Sequence, residues 1–102
     1  METESEFFAK IAELASASAH IARQAEQAYT PEVEALIQAK IRDPHHIERL
    51  LDGILDFCFD PAMLSLFKRL CRYYFKIDPV ATASYVQSYR EMWDEAESSN
   101  CS

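Results

Sequence analysis

Apolar residues in this chain recur every three to four positions, the period of a helix with one buried side. Between residues 5 and 28, Phe7, Ile11, Leu14, Ile21, Ala25 and Ala28 keep that spacing. Val33, Leu36, Ile37 and Ile41 form a second stripe over 31–42. Over 44–59 the apolar positions take most of the helix circumference and leave His45, Glu48, Arg49, Asp52 and Asp56 as one polar stripe. Segment 61–76 has the same geometry, and 79–95 closes the series with Tyr85, Val86, Tyr89, Met92 and Trp93 on a common face. Five helices are expected.

The boundaries follow from local chemistry. All four prolines come after a capping residue: Thr30-Pro31, Asp43-Pro44, Asp60-Pro61 and Asp78-Pro79. Thr and Asp side chains accept from the free N–H groups of a first helical turn. Proline fits the next position, where its missing N–H costs nothing. Thr3, three residues before Glu6, has the pattern of a capping box. Gly53 is the single glycine, and such scarcity argues against β-hairpins with glycine turns. Almost no residues are left for linkers. The helices must therefore turn sharply at each cap, which predicts a compact, irregular, partly orthogonal all-α bundle. One domain is expected over 1–97, followed by a disordered polar tail at 98–102.

Segment 61–76 is expected at the centre. Met63, Leu64, Leu66, Phe67, Leu70, Cys71, Tyr73, Tyr74 and Phe75 leave it only one polar edge, about 100° wide, and a helix so apolar must be covered on several sides. That edge carries Lys68, Arg69, Arg72 and Lys76 with no acid among them. The remainder of the chain is acidic, and the net charge is −7. Two readings of the ridge compete: a solvated face partly neutralised by acids of the 44–59 and 79–95 segments, or a docking strip for an acidic partner or a phosphate-bearing ligand. Arg69 and Arg72 would dominate a docking strip, because guanidinium binds carboxylate or phosphate in a fork. The Tyr85, Tyr89 and Trp93 face has two readings as well. It packs on the central helix with its hydroxyls at the rim, or it stays open for a partner or a second copy of the chain.

Composition narrows the function classes. Acidity opposes general nucleic-acid affinity and binding to anionic membranes. The longest apolar stretches are too short to span a bilayer. The acidic start, Met1 to Glu6, lacks the basic region of a secretory signal. Three cysteines with no Cys-x-x-Cys argue against a disulfide framework or zinc module, so a cytoplasmic setting is expected. One glycine excludes a P-loop, a dinucleotide fingerprint and a nucleophile elbow. Adjacent His45 and His46 diverge by about 100° on a helix and cannot share a metal as an i, i+4 pair does. No catalytic residue, metal ligand or cofactor is assigned. The expected function is a small non-catalytic interaction or regulatory protein. It would bind another protein through Lys68, Arg69, Arg72 and Lys76, through Tyr85, Tyr89 and Trp93, or through both sets. A nucleic-acid-associated accessory factor is the first alternative, since 68–76 interleaves cations with aromatics. An enzyme or metal-binding helical protein is the second.

Overall fold

Four helices, not five, make up the fold of the described residues. A computed structural model describes residues 3–93. Helix α1 spans Glu4–Gln38, α2 Pro44–Leu55, α3 Pro61–Phe75 and α4 Pro79–Trp93, and the described residues contain no strand. The all-α bundle expected from the pattern is present. The fifth helix is not, because the segments 5–28 and 31–42 form one rod, with Pro31 inside it. The tail at 98–102 and the end of the last helix near Glu95 lie outside the described residues.

The misplaced start at Thr30-Pro31 has a clear physical reason. Proline inside a helix removes one i→i−4 hydrogen bond and usually breaks the rod. Here Ala22, Ala25, Val33 and Leu36 are buried along one unbroken stripe, and Tyr29 packs between them. Pro31 and Gln27, whose carbonyl loses its donor, are exposed. Water can serve that carbonyl, and the burial of the stripe outweighs the lost bond.

The other starts agree with the caps. Thr3 and Glu6 form a reciprocal capping box. Asp43 accepts from the His45 N–H at 3.2 Å. Asp60 accepts from Ala62 and Met63, both at 3.1 Å. Asp78 accepts from Ala81 at 3.0 Å, while the Thr82 hydroxyl donates to the Asp78 carbonyl.

Helix α1 ends in a Schellman turn. The Ile41 N–H donates to the Leu36 carbonyl and Lys40 to Ile37, both at 3.1 Å. Such a turn needs one left-handed residue, usually glycine. Lys40 takes that role with φ of 55°.

Helix α3 packs against all three others, which agrees with the central position expected for 61–76. Met63, Leu66, Phe67, Leu70, Cys71 and Tyr74 are buried. Leu64 and Tyr73 are half-buried, and Phe75 is exposed because it falls beside the basic edge. Helices α1 and α2 supply the facing surface through Val33, Leu36, Ile47, Leu50, Leu51 and Ile54. Gly53 lets α1 approach α2: a Cβ there would come within 2.7 Å of the Tyr29 Cζ and nearer still to its hydroxyl.

The amino-terminal half of α1 runs beyond this body. A 35-residue helix is about 52 Å long, and the longest dimension of the molecule is 55 Å. The radius of gyration of 16.6 Å exceeds the ~13 Å of a 100-residue globule.

Two substitutions test these joints by thermal or urea unfolding. Lys40→Gly should stabilise the protein by about 1 kcal/mol, by relieving the left-handed turn. Gly53→Ala, which would ordinarily strengthen a helix, should instead destabilise it by about 1–3 kcal/mol as the Tyr29 ring is displaced.

Candidate functional site

The cations of α3 do not act as one ridge. At roughly 100° per residue, Lys68 and Arg69 mark opposite borders of the polar edge. Arg69 leans toward α1, where its Nη1 meets Glu34 at 3.5 Å with both side chains about half exposed. This is a weak surface pair. Its acid comes from α1, not from the neighbouring 44–59 and 79–95 segments. Lys68 and Arg72 lean the other way, toward α4. Lys76 is exposed at the end of α3, where it is the C-cap.

Between α3 and α4 lies an open groove of about 460 Å³. Leu64, Phe67, Cys71, Val86 and Tyr89 line it with apolar surface, and Lys68, Arg72 and Arg90 bring three cations. No acid lines it. No ion pair engages Lys68, Arg72 or Arg90 among the described residues. The antiparallel return of α4 is what brings Arg90 alongside Lys68 and Arg72, so Arg90 acquires its place only from the fold. Val86, one helical turn before Arg90, was the sequence signal for it.

The aromatic face of α4 is used largely within the molecule. The Tyr85 hydroxyl donates to the Asp52 carboxylate at 2.8 Å and lies 3.4 Å from the Glu48 carbonyl. The Tyr89 ring packs on Phe67 with centroids 5.8 Å apart. Trp93 donates its Nε1–H to the Leu55 carbonyl at 2.8 Å and packs on Phe59. Val86 and Met92 remain exposed, and so does part of the Trp93 ring. Of the seven residues assigned to partner binding, Lys68, Arg72 and Tyr89 are therefore brought together. Arg69, Lys76, Tyr85 and Trp93 are held elsewhere.

Tyrosines pin the helices around the groove. Tyr74 is fully buried and donates to the Glu48 carboxylate. Tyr73 donates to the Ile41 carbonyl at 2.6 Å, tying α3 to the turn after α1. Burial raises the ionisation of Tyr74 and Tyr85 well above the usual phenol range, and their bonds to Glu48 and Asp52 add to the shift. Burial also pushes the Cys71 thiol to about 11, opposed by neighbouring Arg72. Cys58 is pushed to about 12 by burial, with Cys71 and Asp56 adding to it. Both thiols are thus poor nucleophiles at neutral pH.

Among the described residues no group of three or more His, Cys, Asp or Glu side chains is placed to hold a metal ion. No described helix is long and apolar enough to cross a membrane. No family model, curated protein or solved structure matches this chain.

Raised phenol values make stability fall at high pH. The unfolded tyrosines lose their protons near pH 10, while the folded ones keep theirs, so the folded state binds more protons above that point. Unfolding free energy should be flat below about pH 8 and then fall by up to about 1.4 kcal/mol per pH unit for each raised group. The thiols of Cys58 and Cys71 come first, because their unfolded values lie at about 8.5, and the two tyrosines follow. Chemical denaturation between about pH 7 and about 11 would read this, and Tyr74→Phe with Tyr85→Phe should flatten the part of the fall above about pH 10.

Proposed function

We propose that the chain is a non-catalytic protein-interaction module that seats an acidic, amphipathic helical segment of a partner in the α3–α4 groove. The supporting observation is the pairing of an apolar floor with three cations, and with no acid among the described lining residues, in a protein of net charge −7. Leu64, Phe67 and Val86 would receive apolar side chains spaced one helical turn apart. Lys68, Arg72 and Arg90 would face carboxylates along the segment's flanks. Guanidinium groups suit that task through bidentate bonds. The rest of the acidic surface would repel acidic chains that fail to engage the groove, which favours specificity. A reducing cytoplasm is the proposed setting, since Cys58 and Cys71 are free thiols in the core.

The nucleic-acid alternative gains less support. Base stacking needs open aromatic faces. Tyr74 is buried, Tyr73 is tied to Ile41 and Tyr89 is packed on Phe67, which leaves Phe75 as the open ring of segment 68–76.

Isothermal titration with a designed amphipathic peptide, Leu and Phe on one face and Glu on its flanks, tests the proposal. Arg72→Glu with Arg90→Glu should weaken binding about 100-fold, and raised salt should weaken it in the wild type. Equal binding by the double variant, or tighter capture of a single-stranded oligonucleotide than of the peptide, would remove it.

A further inference from the structure

We propose that the projecting half of α1 pairs with the same segment of a second copy, antiparallel, to make a homodimer. Every residue from Glu4 to Ser18 is exposed. Phe7, Phe8, Ile11, Leu14 and Ile21 are nevertheless 45–69% exposed. A soluble helix does not keep such a stripe wet without a partner.

The spacing identifies the kind of partner. Phe7, Ile11, Leu14, Ser18 and Ile21 follow one another at intervals of four, three, four and three. This is the seam of a two-helix coil, in which knobs of one helix enter holes of the other. The seam lies on the same face as Ala22, Ala25, Val33 and Leu36, which bury against α2 and α3. The body thus covers the carboxy-terminal half of one continuous apolar face and stops at Ala22.

That geometry fixes the orientation. A parallel mate would run its own residues 22–38 along the face already occupied by α2 and α3. An antiparallel mate overlaps only through residues 4–21, about 27 Å of helix, and sends its body off the opposite end. In the register that places Ile11 against the mate's Leu14, Phe7 meets Ser18, so each large ring faces a small side chain. Lys10 then lies on the same flank as the mate's Glu13, and Glu6 on that of the mate's His20. A parallel pair would set Glu4 against Glu4.

The area is sufficient. Five half-exposed large side chains offer about 500 Å² of apolar surface per copy. The alanines of the same face raise this toward the ~800 Å² per partner of a stable interface.

Sedimentation equilibrium on the full chain should give twice the 11.7 kDa monomer mass across the micromolar range. Leu14→Asp should raise the dissociation constant at least about 100-fold, since both copies lose a buried leucine. Its body should melt normally, because Leu14 touches none of the core. Ser16→Asp, on the opposite face, should stay dimeric. Nitroxide labels on Ser5→Cys, in a Cys101→Ser background, should sit about 25 Å apart. A wild-type monomer overturns the proposal, and if that monomer co-sediments with vesicles the stripe belongs to a lipid surface instead. A dimer that survives Leu14→Asp, dissociation by Ser16→Asp, or labels within about 15 Å of each other overturns it equally.

Discussion

The structure depends on hiding α3. Its apolar side chains occupy most of the helix circumference, and no single neighbour can cover so wide an arc. Helices α1, α2 and α4 share the task, and each is placed by the side of α3 it covers. Only the edge that carries Lys68, Arg69, Arg72 and Lys76 stays wet. The charge of the chain is thus arranged by packing: cations gather where no apolar neighbour is needed, and acids populate the outer helices. A helix with a narrower stripe would have allowed a simple two-layer pair and left no groove.

Polar groups drawn into this core are matched across helices. Tyr74 is fully buried, and its hydroxyl would cost about 1–3 kcal/mol without a partner. Glu48 of α2 accepts from it, and Asp52 of the same stripe accepts from Tyr85 of α4. The phenol suits this role because it is apolar along its ring and polar only at the tip. Among the described residues no buried side-chain nitrogen or oxygen is left without a partner. These bonds add directional specificity to packing that would otherwise tolerate sliding.

The two proposed surfaces lie on different parts of the molecule and can operate together. The groove is built from α3 and α4, whereas the seam belongs to the half of α1 beyond the body. An antiparallel pair would carry two grooves at opposite ends of a central rod. Two such sites gain avidity for a partner that presents two segments at the matching span. Gly53 leaves room for the Tyr29 ring where α1 settles onto α2.

Local chemistry settled much of this without coordinates. The helical class, the starts at Thr3, Asp43, Asp60 and Asp78, and the central place of α3 all follow from caps and periodicity, because these act within one turn of the chain. Pro31 shows the limit of such reasoning: its local rule was outweighed by a burial stripe that only the packed neighbours create. The three cations of the groove were also divided between distant segments. Lys68 and Arg72 were legible as a basic edge, but Arg90 joins them only through the return of α4. The exposure of Phe7, Ile11 and Leu14 was equally hidden, since a stripe at helical spacing looks the same whether or not a body covers it. The sequence by itself determined which residues start helices and which faces are apolar, since both are properties of a single turn. Tertiary structure alone decided which of those faces are covered, because coverage depends on where a second segment lies in space.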